Sequence, residues 1–287
     1  MNNIYVFVYG TLRKNESNHF LLKEATLIAR QVWTNGRLFD TGLGYPAMKE
    51  SMNDIVYGEL YLVSEEQLLR LDELEDYRPN DRNSLYNRKK QVVFYDTGKI
   101  EAYLYFIAKH NENMLRIPIS SGDWKLYLYE QQKQTILYFA YGSCMDDVRF
   151  KLRNKNHFFQ NVKGCGILSG FTLRFTRRAH DGGRADIVEE GGIVEGKVYE
   201  INSACLDYLY QREGVRAGCY RPTFVDINLN GKIVEDVLTF TVVNKEAETA
   251  PSSEYLEEIL RGGTGCVSEA YLTSLRERMK STFGIEL

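Results

Sequence analysis

The sequence predicts an α+β protein made of two tandem, small, mixed β-barrel-like domains with flanking helices. The first observation is an internal repeat, because residues 55–77 align without a gap with residues 193–215. The second is a repeated strand and glycine turn at residues 4–11 and 136–143. The third is the strand-rich pattern of both halves, whose many strand edges a small closed or nearly closed sheet would cover. We therefore expect domains at residues 1–133 and 134–287.

Length, charge and hydropathy limit the possible classes of protein. The chain has 287 residues, enough for two domains that each bury a core, and a formal net charge of −3. This charge gives no general electrostatic reason to bind nucleic acid or an anionic membrane. No apolar run reaches the roughly 18 residues of a membrane span, and the N-terminus lacks the basic start of a signal peptide. We expect a cytoplasmic protein, and the sequence does not give its oligomeric state.

Cysteine and histidine usage indicates neither disulfides nor a metal site. The cysteines are odd in number, contain no C-x-x-C spacing and all lie in the second half, at Cys144, Cys165, Cys205, Cys219 and Cys266. A disulfide framework or a zinc site is therefore not expected, and a reducing compartment is the simplest environment. The chain has four histidines and no H-E-x-x-H motif, so we expect no metal.

The first half reads as strands separated by loops and short helices. Residues 4–9 form a continuous β-branched and aromatic run, typical of a buried strand, and a glycine turn follows. The next predicted elements are a helical stretch, a strand, a breaker-rich loop and the strand–helix repeat, at 18–28, 32–39, 42–46 and 55–77. A polar loop, a hairpin, a surface connection and a closing helix follow at 78–84, 90–107, 111–121 and 124–130. The polar run 131–134 is the predicted domain boundary.

The second half repeats this order. Its predicted elements are a strand with its turn, a helix, a strand, a glycine-rich loop and the strand–helix copy, at 136–143, 146–153, 166–176, 181–183 and 193–215. A strand from Thr223 and a return strand at 237–243 flank Asn230-Gly231, which is the strongest hairpin signal in the chain. Helices are expected at 255–260 and 270–279.

Each copy of the strand–helix repeat places a glutamate where its helix pattern calls for an apolar residue. Leu68, Leu71 and Glu75 fall at i, i+3 and i+7, and Leu206, Leu209 and Glu213 do the same. That spacing is one face of an α-helix, the face that meets the core. Burial and the negative end of the helix dipole would both raise the pKa of the carboxyl, as a general acid/base requires. The alternative is that each helix stops a turn early and the glutamate is a solvated end residue.

The glycine turns supply the other half of a possible site. A run of free N–H groups after a strand end can hold an anion or a polarised carbonyl oxygen. Each half therefore offers a backbone cradle, one carboxylate and a later tyrosine, Tyr86 or Tyr220, without a serine–histidine pair. This combination suits proton transfer on a substrate that brings its own nucleophile.

Short motifs in both halves resemble one known family. The γ-glutamylcyclotransferases have motifs similar to F-A-Y-G-S at 139–143, R-E-G-V-R-A-G-C-Y at 212–220 and A-P-S-S-E-Y at 250–255. The related γ-glutamylamine cyclotransferases have motifs similar to F-V-Y-G-T-L at 7–12, L-D-E-L-E at 71–75 and L-Y-N-R at 85–88. The resemblance covers nearly the whole chain. It implies the γ-glutamylcyclotransferase-like fold in each domain and cyclisation of a γ-glutamyl group to 5-oxoproline, with release of an amine or amino acid.

The resemblance also implies roles for particular residues. Glu75 and Glu213 would be the acid/base residues, and the enzyme would need no cofactor. The substrate-binding residues would be Tyr9, Gly10, Thr11, Leu12 and Tyr86 in the first domain, and Tyr141, Gly142, Ser143, Cys144, Tyr220 and Tyr255 in the second. The partner is then a small γ-glutamyl compound, whose leaving group the sequence does not identify.

Three departures from the family pattern concern individual residues. Cys144 stands where the family has asparagine, Tyr210 stands where the first domain has Asp72, and the first domain has no counterpart of Tyr255. Two alternatives therefore stay open. The protein could be a catalytically silent module that binds γ-glutamyl compounds or 5-oxoproline, or only one of its domains could be active.

Overall fold

The computed structural model describes residues 3–132 and 134–286, and these divide into two compact units between Gln131 and Gln132. Lys133, which belongs to the predicted boundary run, lies outside the described residues. The elements of the first unit are β1 (Ile4–Val8), β2 (Thr26–Asn35), β3 (Arg37–Asp40), β4 (Pro46–Lys49), β5 (Ile55–Val63), α1 (Glu65–Leu74), β6 (Tyr86–Tyr95), β7 (Gly98–Ile107), β8 (Ile117–Pro118) and α2 (Trp124–Gln132).

The elements of the second unit follow the same order, with extra helices. They are β9 (Ile136–Ala140), α3 (Asp147–Leu152), β10 (Val162–Ser169), β11 (Thr172–Ala179), β12 (Gly182–Val188), β13 (Ile193–Ile201), α4 (Ser203–Arg212), β14 (Tyr220–Leu229), β15 (Lys232–Val242), α5 (Ser253–Gly263) and α6 (Glu269–Phe283). In both units the strand–helix repeat is therefore a strand and a helix.

Each unit contains a closed five-stranded barrel, as the strand-rich pattern predicts. The first has the order β1-β5-β2-β6-β7 and closes through a parallel contact between β7 and β1. The second has the order β10-β13-β9-β15-β14, with a parallel contact between β15 and β9. Reading round each ring, equivalent strands occupy equivalent places, so the two barrels share one topology. A small separate sheet, β4-β3-β8 or β11-β12, accompanies each barrel.

Burial on both faces explains why β1 is a continuous apolar run. Val6 and Val8 belong to the cluster that includes Leu68 and Leu71 of α1, whereas Phe7 belongs to the other buried cluster, with Leu60 and Leu104. Alternate residues of a strand point to opposite faces, so a strand covered on both sides needs no polar positions.

The glycine that both strand–helix copies share has a packing reason. A Cβ on Gly58 would lie 2.2 Å from the carbonyl oxygen of Val8, and one on Gly196 would lie 2.3 Å from that of Ala140. Two strands of each barrel thus approach at a point where only glycine fits. The helices that follow begin as predicted, because Ser64 forms a capping box with Gln67 and Asn202 accepts a hydrogen bond from the N–H of Cys205.

Several predicted elements are wrong in their details. The predicted helical stretch 18–28 is a 3-10 helix at His19–Leu22, after which β2 begins. The predicted strand 32–39 is interrupted at Gly36, where a Cβ would lie 2.7 Å from the Met48 sulfur. The predicted strand 166–176 is two strands, because Gly170 has a φ of +86° and turns the chain.

The expectation that no disulfide forms is also wrong. Cys165 on β10 is bonded to Cys266, which lies between α5 and α6. The two cysteines are 101 residues apart in sequence, so no local spacing motif predicts that they pair. Cysteine content therefore no longer supports the expectation of a reducing compartment. Within residues 3–132 and 134–286, the helices are too short or too polar to cross a membrane.

Candidate active sites

The first candidate site begins where β1 ends. The N–H of Arg13 donates to the carbonyl oxygen of Gly10 at 3.0 Å, which closes a tight turn. The N–H groups of Thr11 and Leu12 have no hydrogen-bond acceptor within the described residues. Two consecutive free N–H groups in a turn form the kind of backbone concavity that binds an oxyanion. A Cβ on Gly10 would lie 2.7 Å from Cγ of Pro46, so glycine is required at this position.

Glu75 lies at the C-terminal end of α1. Its N–H donates to the carbonyl oxygen of Leu71 at 3.0 Å, so the helix continues far enough to carry this side chain inward. The side chain is half-buried, because part of its surface faces a cavity rather than bulk solvent. Its carboxylate makes no hydrogen bond or ion pair within the part of the chain that the structure describes. Burial raises the pKa of Glu75 from its ordinary 4.5 to about 8.

A cavity of about 230 Å³ joins the turn to the glutamate. All of the site residues predicted for the first domain line it, namely Tyr9, Gly10, Thr11, Leu12, Glu75 and Tyr86. Sequence reasoning missed the other polar residues of the wall, Asn18, Tyr45 and Tyr105. The sequence contained one indication of these additional wall residues, the breaker-rich loop 42–46, which contains Tyr45 and Pro46.

Hydrogen bonds between tyrosines and the backbone hold this cavity in shape. The Tyr9 hydroxyl donates to the carbonyl oxygen of Tyr105 at 2.7 Å, and the Tyr86 hydroxyl donates to that of Pro46 at 3.3 Å. Burial raises the pKa of both hydroxyls, so each stays protonated and keeps its donor. The Tyr105 hydroxyl donates to Asp72 at 2.8 Å, and Arg88 pairs with the same carboxylate at 2.5 Å. The residues nearest Glu75 are therefore neutral donors rather than cations.

The second candidate site repeats this backbone geometry with different side chains. The N–H groups of Ser143 and Cys144 have no acceptor within the described residues. The Tyr141 hydroxyl donates to the carbonyl oxygen of Phe240 at 2.7 Å, and the Tyr220 hydroxyl donates to that of Ala185 at 2.7 Å. These bonds match those of Tyr9 and Tyr86 in the first unit. Duplication has therefore preserved the frame of the site.

Glu213 lies at the end of α4, as Glu75 lies at the end of α1, but Glu213 is next to a charged side chain. Arg212 Nε lies 3.4 Å from Oε1 of Glu213, and the Cys144 thiol donates to the same oxygen at 3.4 Å. Burial raises the pKa of Glu213, and the positive charge of Arg212 opposes that rise. Arg212 also donates to Cys144 Sγ at 3.1 Å and to Ser143 Oγ at 3.1 Å. Arg212 thus joins Glu213, Cys144 and Ser143 in one network, whereas the Glu75 carboxylate has no such partner within the described residues.

The predicted residues of the second site also converge. Its cleft is lined by Tyr141, Gly142, Ser143, Cys144, Glu213, Tyr220 and Tyr255, and its volume is only about 30 Å³. Tyr255 comes from α5, and its hydroxyl oxygen accepts a hydrogen bond from the N–H of Ala185 at 3.3 Å. Among the described residues, no three histidine, cysteine or acidic side chains are grouped so that they could hold a metal ion.

The departure at Tyr210 has a structural counterpart. In the first unit Asp72 accepts a hydrogen bond from the hydroxyl of Tyr105. In the second unit Phe240 takes the place of Tyr105, since its carbonyl oxygen accepts the equivalent tyrosine hydroxyl. The Tyr210 ring meets Phe240 edge-on, with ring centroids 6.1 Å apart. An aromatic pair therefore replaces a polar one, and Tyr105 and Phe240 each line the wall of their own site.

Two closed barrels, each with a helix-end glutamate opposite a glycine turn, define a tandem protein of the AIG2-like class. A family model described as "Gamma-glutamyl cyclotransferase, AIG2-like" matches residues 6–126, and one described as "AIG2-like family" matches residues 193–275. YkqA of Bacillus subtilis, provisionally named a gamma-glutamylcyclotransferase, is 41% identical over 97% of this chain and 98% of its own. The chain belongs to the gamma-glutamylcyclotransferase family.

Further relatives and a solved structure agree with this assignment. The chain superposes on the crystal structure of YkqA with a TM-score of 0.88, at 40% identity over 98% of each chain. The gamma-L-glutamyl-butirosin B gamma-glutamyl cyclotransferase of Niallia circulans is 43% identical over 42% of this chain and 76% of its own. The gamma-glutamylcyclotransferase of Bos taurus is 32% identical over 47% of this chain and 73% of its own. These relatives support an enzyme of the cyclotransferase type.

Proposed function

We propose that the protein cyclises the γ-glutamyl group of a small molecule to 5-oxoproline and releases the attached amine or amino acid, without a cofactor. The observation that carries this proposal is the position of Glu75. Its carboxyl group, with a pKa of about 8, faces a cavity of about 230 Å³ whose wall includes the free N–H groups of Thr11 and Leu12. A base with a pKa near the working pH is the most effective proton carrier.

We propose one step of the reaction for each group. Glu75, as the carboxylate, takes a proton from the α-ammonium group of the substrate. The freed amine nitrogen attacks the γ-carbonyl carbon and forms the ring C–N bond, while the N–H groups of Thr11 and Leu12 stabilise the oxyanion. The bond to the leaving nitrogen then breaks as Glu75 returns its proton to that nitrogen, and the ring nitrogen loses its second proton, through the regenerated Glu75 carboxylate, to the released amine. Because the attack is intramolecular, positioning of the substrate supplies much of the acceleration.

The second unit has the same groups in a more confined arrangement. Glu213 would act as acid/base, with Ser143 and Cys144 as the N–H donors and Tyr255 as a further substrate contact. For the second unit alone, the narrow cleft and the Arg212–Glu213 ion pair favour the alternative of a catalytically silent module. It would then be a binding module for γ-glutamyl compounds that has lost turnover.

The test is 5-oxoproline formation by the full chain and four variants, measured by mass spectrometry over a panel of γ-glutamyl amines, amino acids and peptides. We expect Glu75→Gln and Glu213→Gln each to remove part of the activity and the double variant to remove all of it. Glu73→Gln, an exposed change on the same helix, is the matched control and should retain full activity. Full turnover by the double variant would overturn the acid/base assignment. Loss of all turnover in Glu75→Gln alone would make the second unit a binding module.

A further inference from the structure

Four arginine side chains gather around the second glutamate. Arg149, Arg177, Arg184 and Arg212 line a hollow of about 150 Å³ that adjoins the narrow cleft. The hollow and the cleft share Ser143, Glu213, Tyr220 and Tyr255 in their walls, so the hollow adjoins the space at Glu213. Glu213 is the acidic residue in the wall of this hollow. We call these four residues the arginine cluster.

The cluster is assembled from separate parts of the unit. Arg212 ends α4, Arg149 lies on α3, and Arg177 and Arg184 lie on β11 and β12. The position that Arg212 occupies in the repeat is held by Leu74 in the first unit, one residue before each glutamate. The wall of the first cavity includes Leu74 and, among its described residues, no arginine, lysine or histidine. The two sites therefore share a backbone and differ in charge.

The positive charge of the cluster is incompletely neutralised. Arg149 pairs with Glu258, Arg184 pairs with Asp181 at 2.5 Å, and Arg212 pairs with Glu213 at 3.4 Å. Arg177 has no acidic partner within the described residues, and its guanidinium donates to Cys219 Sγ at 3.2 Å. The four guanidinium groups of the cluster are thus paired with three carboxyl groups.

The pKa shifts within the cluster also indicate uncompensated positive charge. Burial lowers the pKa of Arg149, and repulsion from the neighbouring charge of Arg212 lowers it further. Burial raises the pKa of Glu213, and the charges of Arg212, Arg149 and Arg177 oppose that rise. An anion in the hollow would relieve this repulsion, and guanidinium groups bind carboxylates well because their geometry allows paired hydrogen bonds.

We propose that the second site selects γ-glutamyl compounds whose leaving group carries more than one carboxylate, such as an amino dicarboxylic acid, whereas the first site takes neutral leaving groups. This inference rests on the proposed function. The γ-glutamyl group lies between Glu213 and the N–H groups of Ser143 and Cys144. The leaving group then lies in the hollow, where its second carboxylate meets Arg177 and Arg184.

The experiment compares γ-glutamyl-aspartate with γ-glutamyl-asparagine, which have nearly the same shape and differ by one negative charge. Glu75→Gln leaves the second site as the working site, and Glu213→Gln leaves the first. We expect Glu75→Gln to prefer the aspartate compound by about tenfold or more in kcat/KM, which corresponds to about 1.4 kcal/mol. Glu213→Gln should show no such preference. Raising the salt concentration should reduce the preference, because the charges are partly exposed to solvent.

Variants of two neighbouring arginines on β11 distinguish the effect of the arginine cluster from a general effect of charge. In the Glu75→Gln background, Arg177→Gln should reduce the preference several-fold, mainly through a higher KM for the aspartate compound. Arg178→Gln changes the next residue, which is exposed and lies outside the wall of the hollow, and it should leave the preference unchanged. A loss of preference in both variants would indicate a general effect of charge and overturn the role of the cluster.

The outcomes separate this inference from the proposed function. Equal kcat/KM for the two compounds in Glu75→Gln would overturn the inference and leave the proposed function intact. If Glu75→Gln consumes neither compound, titration calorimetry with the same two compounds decides. Tighter binding of the aspartate compound, lost in Arg177→Gln, would support selectivity without turnover. Equal binding of both compounds would overturn it.

Discussion

Replacing Glu75 by glutamine should remove the activity of the first site and, at high pH, stabilise the first unit. Glutamine keeps the size of the side chain and cannot ionise. Burial raises the pKa of Glu75 from 4.5 to about 8, so the folded unit holds a proton that the unfolded chain has released. Raising the pH from about 5 to 9 therefore lowers the free energy of unfolding of the wild-type protein through this group. The free energy of unfolding of Glu75→Gln should not decrease in this way, because glutamine does not ionise.

The size of the effect follows from the two pKa values. The interval between 4.5 and about 8, at about 1.4 kcal/mol for each pH unit, sets an upper limit of about 5 kcal/mol. The cavity is open to water, and water screens the charge once it forms. We therefore expect the free energy of unfolding of Glu75→Gln to exceed that of wild type by about 2–3 kcal/mol at pH 9. At pH 5 the two proteins should differ by about 1 kcal/mol or less, because this pH lies only slightly above the unfolded pKa of 4.5 and little of the loss has accumulated.

Tryptophan fluorescence makes this measurement specific to the first unit. Both tryptophans of the chain, Trp33 and Trp124, lie in that unit, so their signal follows its unfolding in urea. The control is Glu73→Gln, which changes an exposed carboxylate on the same helix and should show no comparable dependence on pH. A stability difference between wild type and Glu75→Gln that stays constant from pH 5 to pH 9 would refute the reasoning. Glu75 would then be an ordinary solvated carboxylate.

Four further outcomes are expected, each with its own measurement. With the second site inactivated, kcat/KM should rise with pH through an apparent pKa near 8, since Glu75 must be deprotonated to act as a base. Gly10→Ala should lower turnover by the first site at least tenfold and destabilise its unit by about 1–3 kcal/mol, because the new Cβ would overlap Pro46. Asp72→Ala should cost about 3 kcal/mol by tryptophan fluorescence, because it leaves the half-buried Arg88 and the buried Tyr105 hydroxyl without their acceptor. Cys165→Ser should destabilise the second unit by about 2–4 kcal/mol in circular dichroism melts under oxidising conditions, with the tryptophan transition unchanged.

The sequence predicted those parts of the fold that depend on neighbouring residues. The helix starts at Ser64 and Asn202 and the turn at Asn230 are set by local hydrogen bonds, and all three are found where the pattern placed them. The interruptions at Gly36 and Gly170 were not predicted, because a glycine inside an apolar run can be a close approach, a bulge or a bend. Which of these occurs depends on what packs against it, and that partner comes from a distant part of the chain.

The predicted site residues converge for a similar reason. A strand end and a helix end recur in both copies, and Glu75 and Glu213 each line the same cavity as their glycine turn. The arginine cluster could not be predicted, because Arg149, Arg177 and Arg184 come from three elements whose contacts are non-local. The Cys165–Cys266 pair is hidden in the same way. The exchange of Leu74 for Arg212 was visible in the aligned repeats, but alone it does not show that other cations join it.

That exchange is where the two copies diverge in chemistry. In the first unit a leucine precedes the glutamate, and desolvation acts on the carboxyl of Glu75 without an opposing charge. In the second unit Arg212 occupies the same position, offsets part of the effect of burial on Glu213 and lines the hollow beside the cleft. An unopposed rise in pKa favours proton transfer near pH 8 in an open cavity. In the second site the charge of Arg212 opposes the rise, so the residue that precedes the glutamate sets how strongly its carboxyl holds a proton.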